Sequence, residues 1–270
     1  MKKNFKESLI VGFTCLLALN AFAQKSYLTF NTGYGMKLST QNIPDLYMYN
    51  YINDADFTTR EQINLSLGKG IMAEGSYGYM FGKNIGAEIG FSYLKGGKTE
   101  SKFTYLSGEI HNSLSAEMIR ITPTIIISGE GEKFRPYGKL GLVTGFGTVN
   151  LEENSNLATA KELKTTKFRK GLAVGASAGL GIITTISGPF SFLCELNTVT
   201  LSYAPQMSEV TEFTRDGENK MDELTLSQKE TQFYDSMKFK TINPDEPRPA
   251  LKQRLPFGSV GIKVGLKIDL

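Results

Sequence analysis

Hydrophobic and polar residues alternate one by one along much of this chain. The most regular case is residues 260–270. Val260, Ile262, Val264, Leu266, Ile268 and Leu270 fall on one face, and Gly261, Lys263, Gly265, Lys267 and Asp269 on the other. A strand points successive side chains to opposite faces, so this segment has one apolar wall and one wall of glycine and charge. The same period predicts seven earlier strands: 26–36, 67–81, 85–94, 113–128, 135–149, 168–182 and 190–203. In the third, Ile85, Ala87, Ile89, Phe91 and Tyr93 oppose Gly86, Glu88, Gly90 and Ser92. In the sixth, Leu172, Val174, Ala176, Ala178, Leu180 and Ile182 oppose Arg169, Gly171, Gly175, Ser177, Gly179 and Gly181. The fourth strand changes phase near Met118 and Ile119, which predicts a β-bulge, with Pro123 at that bulge or at a rim.

The connections alternate in length. Strands two and three, four and five, and six and seven are joined by short turns around residues 82–84, 129–134 and 187–189. The other connections run over about 37–66, 95–112, 150–167 and 204–256. Unstructured loops longer than roughly 12–15 residues are uncommon in compact soluble domains. Short turns on one rim and long loops on the other are the plan of an all-β, antiparallel, up-and-down transmembrane barrel, here of eight strands. The final strand, of about the length that crosses a bilayer, is expected to close it. The rival is a soluble barrel or sandwich with its apolar face inward. Glycine decides between them. A soluble fold would expose mostly glycine on strands six and eight, where solvent faces favour residues such as threonine. A narrow lumen needs small residues beside a few charged ones.

Lys2, Lys3 and Lys6 precede an apolar run from Leu9 to Leu19, followed by Ala21-Phe22-Ala23. This predicts a signal sequence, residues 1–23, cleaved before a single barrel domain, 24–270. Of 30 basic and 27 acidic residues, the first 23 positions hold three and one, so the mature chain carries 27 and 26. Near-neutrality points away from nucleic acid. One cysteine, Cys194, remains, which excludes an internal disulfide and reads as a small hydrophobe on the apolar face.

The stretches Ala21-Phe22-Ala23-Gln24, Asn31-Thr32-Gly33-Tyr34-Gly35, Arg120-Ile121-Thr122-Pro123 and above all Arg135-Pro136-Tyr137-Gly138-Lys139-Leu140-Gly141-Leu142 resemble small outer-membrane β-barrels of the porin-like superfamily. The likeness is to those of Bacteroidetes-type bacteria and to the OmpA-type eight-stranded membrane domains. It implies residence in the cell outer membrane among its lipids. It implies no activity, because the family includes adhesins, stability factors and pores. Such barrels commonly end in an aromatic residue, whereas this sequence ends Ile268-Asp269-Leu270.

Alternation puts Glu74, Glu88, Lys139, Arg169, Glu195, Lys263 and Lys267 in the lumen, with Arg120 beside them at the bulge. Unpaired charge there is costly, so a mutually paired network is expected, filling a bore just wide enough for side chains. The only histidine, His111, shares a face with Ser113 in an extended segment, and Glu109 is placed to orient it. No Gly-x-Ser-x-Gly elbow, metal-ligand spacing or phosphate loop stands where it would carry chemistry, so no cofactor and no enzyme is expected. Residues 204–256 mix acidic and basic side chains and turn proline-rich after Asn243. A short helix or an extra hairpin fits 221–240; a membrane-crossing hairpin would raise the count to ten strands. The leading expectation is a monomeric, non-enzymatic surface or adhesion protein whose outer loops meet a partner. A narrow passive pore and a loop-based lipid hydrolase are the alternatives. A lumen without continuous charge pairs would favour the pore, and a carboxylate in reach of His111 the hydrolase. The mature protein in detergent should migrate differently on a gel before and after boiling; a chain that stays soluble without detergent and shows no shift would place its apolar faces inward.

Overall fold

Eight strands close on themselves: β1 (Ser26–Lys37), β2 (Gly70–Met80), β3 (Ile85–Gly96), β4 (Gly108–Ser128), β5 (Phe134–Leu157), β6 (Leu172–Ser187), β7 (Phe190–Ala204) and β8 (Ser259–Asp269). The computed structural model describes residues 26–38, 49–53, 58–131, 133–237 and 241–270; the predicted signal sequence lies outside the described residues. Each strand pairs antiparallel with the next around the ring. The seam runs from Tyr27 opposite Asp269 to Lys37 opposite Ser259, while the other edge of β1 pairs with β2. The turns 81–84 and 188–189 and residues 129–131 share one rim with the ends of both terminal strands, where the Asp269 amide donates to the Pro189 carbonyl and the Leu270 amide to that of Ser26.

The outward face settles which wall meets lipid. Phe30, Ile71, Ile119, Leu140, Leu180 and Leu266 are among the exposed apolar side chains of the strand walls, and Leu180 is 70% exposed. Tyr77, Tyr79, Phe81, Phe134 and Phe190 lie toward the short-turn rim. A soluble protein does not display a belt of this size around its whole girth. In lipid only closed barrels and helices satisfy every backbone group, and no helix among the described residues is long and apolar enough to cross.

β4 and β5 are 21 and 24 residues long, about twice what a bilayer requires. Their outward faces turn polar where Glu117 lies between Lys95 and Thr148, so the upper halves stand outside the lipid. The long connections build on them. Thr99–Tyr105 pairs with the start of β4, Ala160–Arg169 with the end of β5, Met207–Arg215 with Ala160–Arg169, and Glu230–Tyr234 with Met207–Arg215. Tyr49–Asn53 joins Thr99–Tyr105 and carries Thr58–Gln62 on its other side. Among the described residues, the outer connections thus contribute several strands that extend the barrel wall. Residues 221–234 form a 3-10 turn, a four-residue helix and a strand in this outer sheet, so they add no crossing strand and the ring has eight.

Three expectations are corrected. There is no bulge in β4, whose register to β3 and β5 is constant on both sides of Met118. The apolar residues change faces because the lumen changes character: Leu114, Ala116 and Met118 point inward into an apolar layer, and Arg120 begins a polar one. Pro123 therefore stands within the strand, opposite Ile89, where the ladder to β5 lapses at 122–123. The predicted strand 168–182 is broken at Lys170, whose φ of 62° is left-handed, and Gly171. The break inverts the face parity: Phe168 turns inward and Arg169 outward. The pattern starts strand two at Leu67 and strand eight at about Phe257, but they begin at Gly70 and Ser259, because Leu67 and Phe257 leave the wall and enter the mouth.

That mouth is plugged. Leu65, Leu67, Leu255 and Phe257, from the ends of the first and fourth outer connections, are essentially fully buried against Leu94, Leu114, Val149 and Tyr203. The plug is fastened through its backbone: the Leu67 amide donates to the Pro256 carbonyl at 2.9 Å, the Phe257 amide to that of Leu201 at 2.8 Å, and the Ser66 hydroxyl to that of Gly258. Phe257→Ala should destabilise the folded barrel by about 3–5 kcal/mol, the usual cost of removing a buried aromatic ring. Denaturant titration in detergent checks this; a shift as small as that from an outward-facing Phe146→Ala would mean the plug is loose.

Candidate functional site

Below the plug, five charged side chains from five strands meet inside the barrel. Glu195 on β7 is at the centre, 3.5 Å from the Nζ of both Lys139 (β5) and Lys263 (β8), and it accepts a 3.0 Å hydrogen bond from the Tyr137 hydroxyl. Lys139 donates at 2.8 Å to Glu88 (β3), which also accepts from Tyr27 at 3.1 Å. Lys263 donates at 2.9 Å and 3.2 Å to the two oxygens of Glu74 (β2), where Asn31 adds a 3.3 Å bond. Asn31 continues to Thr29, and Thr29 to Ser76. The network thus runs unbroken from Tyr27 to Ser76. Each carboxylate meets at least one ammonium, the condition under which a buried charge cluster is tolerated.

Glycine makes room for it. A Cβ on Gly78 would stand 2.1 Å from the Tyr27 ring, and one on Gly181 2.5 Å from the Tyr137 ring. These inward glycines let two phenols lie across the bore. Lys139 Nζ stacks 5.2 Å over Tyr137.

Of the predicted lumen residues, Glu74, Glu88, Lys139, Glu195 and Lys263 come together. Lys267 lies inside too, near the short-turn rim, 4.7 Å over the Tyr27 ring, and pairs with Asp269 rather than with the network. Arg169 does not join them; it sits in the outer sheet on Glu209, half exposed, after the parity change at Lys170. Arg120 takes the remaining cationic place. It is 2% exposed, its Nε and Nη2 have no hydrogen-bond partner, and it lines a cavity of about 30 Å³ with Glu74, Glu88 and Lys263. A buried water needs roughly 10–15 Å³, so this space is large enough to hold one beside the guanidinium. On the short-turn side Ile126, Tyr137, Ile183 and Leu193 form a second apolar layer, with Met80 against it. The lumen is therefore three layers deep: apolar plug, ionic centre, apolar cap.

In the outer sheet His111 Nε2 lies 3.1 Å from Glu109, the carboxylate contact the hydrolase alternative required. Glu109 also binds Lys102 at 2.8 Å, and the Lys102 hydrogen bond, then that of His111, holds its carboxyl below the usual carboxylate range. Ser113 Oγ is buried without a hydrogen-bond partner, so nothing links it to the imidazole. Residues 175–179 spell Gly-Ala-Ser-Ala-Gly but lie within β6, not at a strand-to-helix elbow. Among the described residues no group of three or more His, Cys, Asp or Glu is arranged to hold a metal. Cys194 is exposed on the outer, lipid-facing wall.

The family model of the outer membrane protein beta-barrel domain matches residues 11–213. The chain belongs to this family. It is a cell outer-membrane β-barrel, and the residues beyond the match, 214–270, supply the last outer segments and the closing strand β8. No curated protein matches it in sequence. Among solved structures it is similar to Neisserial surface protein A, at 8% identity over 91% of this chain and 97% of that one with a TM-score of 0.39. It is also similar to Ail, the attachment invasion locus protein of Yersinia pestis, at 10% identity over 90% and 99% with a TM-score of 0.31.

Glu195→Gln should destabilise the barrel by about 3–5 kcal/mol, since it leaves two buried ammonium groups short of a charge, whereas Arg169→Gln at a half-exposed pair should cost under about 1 kcal/mol. Urea unfolding in lipid vesicles compares them. Equal losses would return Arg169 to the lumen.

Proposed function

We propose that this outer-membrane barrel is non-enzymatic and does not conduct solutes, and that it works through the β-structure it raises outside the membrane, by contact with a protein or surface partner. The observation that carries this reading is the double closure of the lumen. The plug of Leu65, Leu67, Leu255 and Phe257 is apolar and buried, and in the layer beneath it Glu74, Glu88 and Glu195 are paired with Lys139 and Lys263. A passive pore needs a continuous wet path, and eight-stranded barrels have little room for one once side chains fill the bore. The ordered extension, with 207–215 and 230–234 paired into one sheet, supports a binding role, because ordered outer loops present a fixed surface.

The Glu109–His111 contact is what favours a loop-based hydrolase. Weighing against it are the isolation of Ser113 and the engagement of Glu109 by Lys102 in an open, solvated setting.

One experiment addresses both alternatives. The purified protein in planar bilayers should give no steady unitary conductance, and phospholipid recovered from vesicles carrying it should be intact. Discrete conductance steps from the wild type would establish the pore, and lipid cleavage lost on His111→Ala would establish the hydrolase.

A further inference from the structure

The outer extension encloses a cleft of about 590 Å³, separate from the lumen. One wall is the paired ladder of residues 160–169 and 207–215; the other is formed by residues 223–231 with Arg248. Its floor is apolar, with Val210 and Phe213 both buried. Thr166, Ser208 and Thr231 line the same space.

The charges are unevenly spent. Arg215 lies over the Phe213 ring at 5.7 Å and is committed to Glu162, 2.8 Å from its Nε. Lys164 pairs with Glu153, and Glu223 with Lys220. Lys229 and Arg248 also line the cleft, and among the described residues neither has an ion-pair partner. Two cations without counter-charges therefore face a pocket lined also by serine and threonine side chains.

We propose that this cleft binds a small anionic sugar, a sugar phosphate or sugar acid, from the external medium. The inference rests on the reading that the protein works through its outer extension. A volume near 600 Å³ is within the roughly 300–1,000 Å³ of small-molecule sites and holds one or two sugar units. The Thr166, Ser208 and Thr231 lining suits the hydroxyl rim of a pyranose. Arg248 and Lys229 supply charge-assisted hydrogen bonds to phosphate or carboxylate. A neutral sugar leaves both cations uncompensated and gains little.

The test is calorimetric titration of the protein in nanodiscs with glucose 6-phosphate, glucuronic acid, glucose and inorganic phosphate. At least one of the two acids should bind, and glucose should not. The double variant Lys229→Gln with Arg248→Gln should weaken binding roughly tenfold or more, the scale of a lost charge-assisted contact. Lys98→Gln, at an exposed pair with Glu152, should leave it unchanged, and boiling-dependent gel mobility verifies that each variant is folded. Binding of neither acid, equal binding of glucose, indifference to the double variant, or inorganic phosphate binding as tightly as either acid would each overturn the sugar site. A protein that binds no sugar yet stays silent in bilayers removes the cleft and leaves the surface-protein reading standing.

Discussion

Backbone hydrogen bonding in lipid is the constraint on which everything else depends. No water in the bilayer core can complete an open ladder, so the first and last strands must find each other. They do so over eleven consecutive pairs, from Tyr27–Asp269 to Lys37–Ser259. That closure turns one face of every strand into a lumen of eight-strand width. Whatever side chains point inward must then fill the bore with one another.

The filling is stratified. Along β4 the inward positions read Leu114, Ala116, Met118, then Arg120, and later Ile126 and Ser128. The apolar upper run belongs to the plug, the arginine to the ionic centre, and the isoleucine to the cap. An ionic cluster between apolar layers is removed from most competing solvent, so its carboxylates and lysines satisfy one another, as Glu195 does by bridging Lys139 and Lys263. Closing the lumen in this way leaves the outer sheet as the surface available for interaction.

Much of this was legible in the alternation. Period-two patterning located eight crossing strands, and face chemistry marked Glu74, Glu88, Lys139, Glu195 and Lys263 as inward. Each misreading has its own cause. Arg169 was placed by extending the parity of strand six back through Lys170, and a single left-handed residue inverts parity without changing composition. The phase change at Met118 looked like a bulge because an apolar inward face was not expected in a barrel with a polar lumen. Leu67 and Phe257 continued neighbouring strand patterns, so nothing local showed that they turn inward; their apolar partners lie far away in the sequence.

The sequence by itself determined that the chain is a strand barrel with its apolar face to lipid, which rim carries the short turns, and that Glu74, Glu88, Lys139, Glu195, Lys263 and Lys267 point inside, because each depends on residues adjacent along one strand. Only the tertiary structure decided that the mouth is plugged, that Arg169 stands outside the ionic centre, and that the long connections form an outer sheet with a cationic cleft. Those depend on pairings between distant segments, such as Leu67 with Pro256 and Met207 with Gln232, and local periodicity carries no information about them.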